Sequence, residues 1–293
     1  MAFNVQTFKT RAVTAIVFVA VMLAGLLINQ WSFFLLFSII HFGCWMEYQK
    51  LVGRIDEAYN NTSFIHKYGV MVLGWFLMIF LFRNNYRIGN NTLSGLGWYL
   101  MLLLSVVLLA TEVVFKKQLN MKALGYSVVG LLYISLSWAL MLNIKALPEL
   151  PLKEPGLYFD YGFYTPLILI AAIWINDTMA YIVGSFIGKT PFSSISPKKT
   201  WEGTIGGALL AIAVVTTGSY YWLHLPVATG IGISAIAAVV GTAGDLLESK
   251  IKRMANVKDS GSIMPGHGGF LDRFDSLLLA TPFVWLLLWF LLR

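Results

Sequence analysis

The residues able to do chemistry crowd into the last third of the chain. Gly244-Asp245-Leu246-Leu247-Glu248-Ser249-Lys250-Ile251-Lys252-Arg253 is followed by Lys258-Asp259-Ser260-Gly261 and then by Pro265-Gly266-His267-Gly268-Gly269-Phe270-Leu271-Asp272-Arg273-Phe274-Asp275. Asp245, Glu248, Ser249 and Lys252 are spaced i, i+3, i+4 and i+7, so a helix here presents them on one face. Asp272 and Asp275 are again i, i+3. Two helix ends bearing carboxylates, joined by a glycine-rich loop whose backbone can come close to a ligand, form a hard-cation site of the magnesium type. Lys252, Arg253, Lys258 and Arg273 would meet phosphate oxygens beside it. Mutual neutralisation of loop charges would explain the balance of signs, but it gives no reason for the Gly266-His267-Gly268-Gly269 turn.

Two further segments lie upstream. Asp177 interrupts an apolar stretch, where a carboxylate costs about 2.5–3.5 kcal/mol on insertion scales unless it faces the protein interior. Tyr181, Gly184 and Gly188 follow at i+4, i+7 and i+11, a polar or small stripe that can approach another helix or a water-filled cleft. A structural Asp bonded to a neighbouring helix is the alternative. Gly188-Lys189-Thr190 then leads to Ser196-Pro197-Lys198-Lys199-Thr200-Trp201-Glu202-Gly203. Ser196 before Pro197 predicts a helix start, and two lysines with unpaired backbone N–H groups there make an anion site. The same lysines would equally suit a basic loop beside a membrane. The segment is not a P-loop, since the Gly-x-x-x-x-Gly-Lys-Ser/Thr spacing is absent.

The elements that must carry these groups are set by composition. The chain has 293 residues, 58% hydrophobic, 15% aromatic and only 12% charged. Its mean hydropathy is +0.72. So charge-poor a chain cannot cover a folded surface with polar groups, which excludes a soluble globular protein and makes lipid the solvent for most of it. The single cysteine, Cys44, can make no intramolecular disulfide and offers no zinc framework. A net charge of +7 suits anionic lipid or anionic substrates, while no basic tract stands outside the hydrophobic framework to bind nucleic acid.

Residues 12–46 carry no Asp, Glu, Lys or Arg and are long enough for two spans turning at Asn29 and Gln30. Further charge-free runs lie at 68–82, 95–111, 123–144, 203–244 and 276–292. The 203–244 run splits around His224, Leu225 and Pro226, and another span, broken only by Asp177, lies between Asp160 and Lys189. These runs predict an all-α polytopic membrane protein with about nine transmembrane helices. With alternating crossings, 16 of the 21 Lys and Arg fall on the amino-terminal side, which places the N-terminus in the cytoplasm. Loops 189–202 and 245–275 then share that face, so the active site of the C-terminal half is cytoplasmic.

The chain thus divides into residues 1–160, with about five spans, and a catalytic region of residues 161–293, with about four. No chemistry is evident in the first. His41, His66 and Glu112 have structural readings there, and Trp31, Trp98 and Trp201 sit where rings anchor at head groups. No internal repeat is visible and no cleavable signal peptide is expected.

The motifs resemble those of the phosphatidate cytidylyltransferases, also called CDP-diacylglycerol synthases. That family's signature is met by Ser249, Ile251, Lys252, Arg253, Lys258, Asp259, Gly261, Pro265, His267, Gly268, Gly269, Phe270, Asp272, Arg273, Phe274 and Asp275. Met264 departs from it as a same-size apolar exchange. Asp177 to Gly188 and Ser196 to Gly203 are also similar to family segments, so the resemblance covers about residues 165–285. It implies transfer of the cytidylyl group of CTP to phosphatidate, giving CDP-diacylglycerol and pyrophosphate, with Mg2+ required and a second, monovalent cation left open. It further implies that Asp245, Asp272 and Asp275 stand around the metal; of these, Asp245 and Asp275 are expected as ligands and Asp272 as a further ligand or as an acceptor behind them. Lys252 joins those three as catalytic. Ser196, Lys198, Lys199, Ser249, Arg253, Lys258, His267 and Arg273 would bind substrate, His267 in a positional role. The resemblance suggests a homodimer, and a bacterial inner membrane is the expected location. Two rivals predict other features: a CDP-alcohol phosphotransferase needs an Asp-Gly-x-x-Ala-Arg motif that is absent, and a cation transporter needs mid-bilayer acids on several spans.

Overall fold

The computed structural model describes residues 5–82, 86–115, 120–152, 156–262 and 268–293. Its helices are α1 Val5–Leu27, α2 Gln30–Ile55, α3 Glu57–Asn60, α4 Phe64–Leu81, α5 Leu93–Phe115, α6 Met121–Gly130, α7 Leu136–Lys145, α8 Tyr161–Ile187, α9 Trp201–Leu223, α10 Val227–Met254 and α11 Leu271–Leu291. A π-helical turn, Leu131–Ser135, joins α6 to α7 without a break. Among the described residues, Arg87–Ile88 with Asn91–Thr92 and Glu149–Pro151 with Tyr158–Asp160 form two small antiparallel ribbons beside the helices.

Among the described residues, seven helical stretches are long and apolar enough to cross a bilayer: α4, α5, the joined α6–α7, α8, α9, α10 and α11. The stretch expected to hold two spans before residue 46 is occupied by α1, whose apolar part is the shorter Val13–Leu27, and by α2, which takes up Glu47, Lys50 and Arg54 toward its end.

Local signals set the breaks. Asn29 caps α2, its Oδ1 accepting the N–H groups of Trp31 and Ser32 at 2.9 Å each, and Ser32 Oγ returns the bond to Asn29 N at 3.0 Å. At the other break, His224 ends α9 in the left-handed region at φ 57°. Pro226 then precedes α10, where its missing N–H is not needed.

The chain forms two compact units, Met1–Leu142 with Met254–Phe274, and Asn143–Arg253 with Asp275–Arg293. In the first, α2 is the central helix: Phe33, Phe37, Ile40, Cys44, Tyr48 and Leu51 form a helical stripe that is buried throughout. Its rings pack in a chain, Phe37 on Trp138 at 5.0 Å and Trp138 on Phe274 at 5.7 Å between centroids. Polar side chains tie the same helices. His41 Nε2 lies 3.0 Å from Ser135 Oγ, which also accepts Trp45 Nε1 at 2.8 Å. His66 joins Glu112 and Ser127, each at 2.8 Å.

In the second unit α8 and α9 approach backbone to backbone. A Cβ on Gly207 would fall 2.6 Å from Ala180 N and one on Gly203 would fall 2.7 Å from Ala180 O, so only glycine permits this spacing. Of the small stripe on α8, Gly184 and Gly188 meet Thr200, while Tyr181 is exposed. The helix start expected at Ser196-Pro197 lies four residues later. Ser196 O instead accepts Lys199 N in a turn, and Thr200 is the N-cap, its Oγ1 accepting Gly203 N at 3.1 Å. Thr200 wins because the turn at Ser196 is closed by the Pro191–Thr200 bridge, which holds the loop extended up to the cap.

Candidate active site

The loop before α9 is a tied excursion. Glu202, in the first turn of α9, accepts Thr190 Oγ1 at 2.9 Å and the backbone N–H groups of Lys189 and Thr190, and the ring of Phe192 meets Trp201 at 4.5 Å. Held at both ends, the loop directs Lys199 onto Asp245 of α10 in an ion pair.

Asp245 is the hub of the second unit's charged groups. The Asp275 carboxyl lies close enough to it for the two to interact, with Lys252 near as well. Asp275 is buried, 8% exposed, and accepts the N–H of Ser276 at 2.5 Å. Lys252 pairs with the buried Glu248 one turn back on α10. From α8, Asp177 lies near both Lys199 and Asp245 and takes a 3.3 Å bond from Asn176 Nδ2. The close approach of α10 and α11 depends on Gly244, where a Cβ would fall 2.5 Å from Asp275 O.

Two carboxylates at that range repel unless a cation or a shared proton lies between them. Among the described residues no three His, Cys, Asp or Glu side chains are grouped so as to enclose an ion by themselves. Magnesium asks for less, one or two carboxylates with the remaining positions filled by water and phosphate oxygens. Asp245 and Asp275, hard oxygen donors with lysines beside them for the phosphates, fit such an ion.

The sequence as a whole carries the same signal as this pair. The model of the cytidylyltransferase family matches residues 9–291. The phosphatidate cytidylyltransferase of Bacillus subtilis is 35% identical over 215 residues, 72% of this chain and 75% of that protein. The chain belongs to the cytidylyltransferase family. It is accordingly an enzyme, a nucleotidyltransferase, and an integral membrane protein. Shorter matches reach the phosphatidate cytidylyltransferases of Synechocystis, 42% identical over 43% of this chain and 44% of that protein, and of Helicobacter pylori, 39% identical over 46% and 51%.

Within this cytidylyltransferase fold the residues singled out from the sequence fall into two neighbourhoods. Asp245, Asp275, Lys199 and Lys252 come together in the second unit; Ser249 is half-buried on the same helix, Arg253 is exposed at its end, and Ser196 and Lys198 lie in the turn that leads to Lys199. Asp272 belongs to the first unit and has other partners. Its Oδ2 accepts Ser260 N at 2.9 Å, Ser260 Oγ at 2.9 Å and Gly269 N at 2.8 Å. Lys258 and Arg273 are exposed in that unit. His267 lies outside the described residues.

Sequence reasoning missed Glu47. This acid of α2 is 6% exposed, and its carboxylate accepts Ser260 Oγ at 2.7 Å and the N–H groups of Phe270 and Leu271 at 2.9 Å each. A Cβ on Gly269 or Gly261 would collide with that carboxylate, which is why those positions are glycine. Asp177 and Glu248 were visible in the sequence but were not among the residues assigned to the site.

Proposed function

We propose that the protein transfers the cytidylyl group of CTP to phosphatidate, releasing pyrophosphate and leaving CDP-diacylglycerol in the bilayer. The observation that carries this reading is the meeting of the Asp245 and Asp275 carboxyls beside Lys199 and Lys252. The names of the relatives support the choice of lipid.

The chemistry asks for little beyond charge control. An oxygen of the lipid phosphate attacks the α-phosphorus of CTP, a new P–O bond forms, and the bond to the oxygen bridging to the β-phosphate breaks. The attacking monoester has its second ionisation near pH ~6, so it is already an anionic nucleophile at neutral pH and no side chain need become covalently attached. Bound Mg2+ would neutralise phosphate oxygens as charge moves to the leaving group. Asp245 and Asp275 would hold that ion. Lys199 and Lys252 would take triphosphate oxygens and stabilise pyrophosphate as it departs. Ser196, Lys198, Ser249, Arg253, Lys258, His267 and Arg273 remain the proposed substrate contacts, with Asp272 as an acceptor behind the ligands.

About nine spans, a cytoplasmic N-terminus and site, a bacterial inner membrane and a homodimer belong to the same proposal. The excess of Lys and Arg on one side supports the orientation, because both long basic loops then face the compartment that holds nucleotides. The test is purified protein in detergent with phosphatidate, Mg2+ and CTP labelled at the α-phosphate. Label should enter the organic phase with wild type and not with Asp275→Asn. No transfer by folded wild type across several phospholipid acceptors would overturn the reading.

A further inference from the structure

We infer that Glu47 is a positioning residue of this enzyme: from α2 it caps the start of α11 and so fixes the turn that carries Asp272 and Arg273. The inference rests on the proposed transferase reading for its kinetic consequence, though the cap itself does not.

A helix leaves its first N–H groups without partners inside the helix, and a side-chain oxygen just before the start normally takes them. Here the residues ahead of α11 are Gly268, Gly269 and Phe270, none with such an oxygen. The acceptor comes instead from 223 and 224 residues earlier, with Glu47 Oε1 on Phe270 N and Oε2 on Leu271 N. A carboxylate laid across the positive end of a helix is favourable in charge as well as geometry. Asp272 reaches back to Gly269 N in the manner of a capping box, so the two acids together take the N–H groups of residues 269, 270 and 271.

Ser260 ties the acids to each other. Its Oγ lies 2.7 Å from Glu47 Oε2 and 2.9 Å from Asp272 Oδ2. The fit leaves no slack, since Gly261 and Gly269 press on the Glu47 carboxylate with no room for a Cβ, and Gly43 does the same against the Phe270 ring. A buried acid in a half of the chain that otherwise lacks chemistry is costly, and the hydrogen-bond partners it has among the described residues are Ser260, Phe270 and Leu271. α11 then carries Asp275 one turn further on, so the register of the helix is what the cap controls.

Glu47→Gln is the test, because the amide replaces one acceptor oxygen with a donor that opposes a backbone N–H. Two readouts are taken on detergent-purified protein: hydrogen exchange of the 268–275 segment, and kcat against KM for CTP. Exchange in that segment should quicken at least tenfold with α6–α7 unchanged, and kcat should fall at least tenfold with KM for CTP within threefold. A merely structural role would lower yield and quicken exchange everywhere, leaving kcat per folded molecule intact, and that result overturns the inference. If the glutamine variant does not fold, Ser260→Ala removes one of the three donors and should give the same pattern at severalfold size; wild-type exchange and kcat there also overturn it. Wild type that transfers nothing would defeat the proposed function instead, and the exchange readout would then decide the cap alone, with wild-type protection in Glu47→Gln counting against it.

Discussion

Lys199 and Asp245 form an ion pair that joins the loop before α9 to the last turns of α10. Both side chains are about a third exposed or less, 31% and 26%, so the pair is reachable from solvent without being fully screened by it.

Replacing Lys199 by Met should therefore lower kcat/KM. Losing one hydrogen-bonded charge on a phosphate is worth about 1.5–3 kcal/mol, roughly ten- to hundredfold in rate. Lys199→Arg keeps the charge but not the point geometry, and should fall between the two. A methionine variant as active as wild type would remove Lys199 from the site.

Asp275→Asn separates chemistry from folding. The amide keeps an oxygen for Ser276 N and takes away a carboxyl that can ligate a cation beside Asp245. Activity should drop by about 10²–10³-fold, the usual scale for one electrostatic group in a water-poor site. The unfolding temperature should stay within a few degrees of wild type, because the amide is neutral, close in size to the acid and still able to hydrogen-bond Asp245 and Ser276 N. Thermal unfolding in detergent beside the transfer assay checks both halves; lowered stability would mean that the carboxylate is a structural acceptor.

The contrast between Asp272, Asp275 and Glu47 shows what the sequence can and cannot display. Spacing of i, i+3 puts Asp272 and Asp275 on neighbouring positions of a helix face, and α11 bears that out. Spacing cannot say what each acid meets. Asp275 faces Asp245, while Asp272 turns back onto Ser260 and Gly269 because it stands in the first turn, where unpaired backbone donors are. Glu47 was out of reach altogether, since its partners lie 213 to 224 residues away and no local pattern encodes such a distance. Breaks at Asn29 and around His224 to Pro226 were legible because a polar turn residue and a proline are local devices. The start of α9 was misplaced because Ser196-Pro197 has the local form of a helix start, and only the Pro191–Thr200 bridge, a longer-range pairing, defers it to Thr200. The resemblance read over residues 165–285 extends in the family match over 9–291, so the first half belongs to the enzyme even though it shows no motif of its own.

His66 tests whether that first half is held by its polar groups. Its ring bridges Glu112 of α5 and Ser127 of α6, all three buried. Cutting one member of such a buried network takes a hydrogen-bond partner from each of the others, at a cost of about 1–3 kcal/mol. His66→Ala should accordingly lower the unfolding temperature and the yield of folded protein. Activity per folded molecule should change less than threefold, and a large loss of kcat at unchanged stability would point to a catalytic part for the histidine.

Glycine substitutions discriminate close approach from mere flexibility. At Gly244 an added Cβ would meet Asp275 O at 2.5 Å and Leu279 Cβ at 3.1 Å, so Gly244→Ala must push α11 away from α10. At Gly125 in α6 nothing lies within 4 Å. Gly125→Ala should be neutral or add up to about 1 kcal/mol through helix propensity. Gly244→Ala should lose activity at least tenfold, because a 1 Å displacement of a reacting constellation costs about 10²-fold. Equal behaviour of the two variants in the transfer assay would show that the Asp245–Asp275 separation is not critical.

Asp177 remains the most expensive residue of α8, and its setting shows two reasons to keep it. Asn176 supplies a hydrogen bond at 3.3 Å, the structural reason, and Lys199 with Asp245 lies close enough to feel its charge, the functional one. Asp177→Asn preserves the first and removes the second. Should charge be what matters, the variant will unfold within a few degrees of wild type yet turn over about tenfold more slowly. It should also need more Mg2+ for half-maximal rate, since a nearby negative charge raises the local concentration of a divalent cation. Transfer rates measured across a Mg2+ titration at fixed CTP decide the matter. A curve superposable on wild type would leave Asp177 as a helix-packing residue and confine the site to α10, α11 and the loop that carries Lys199.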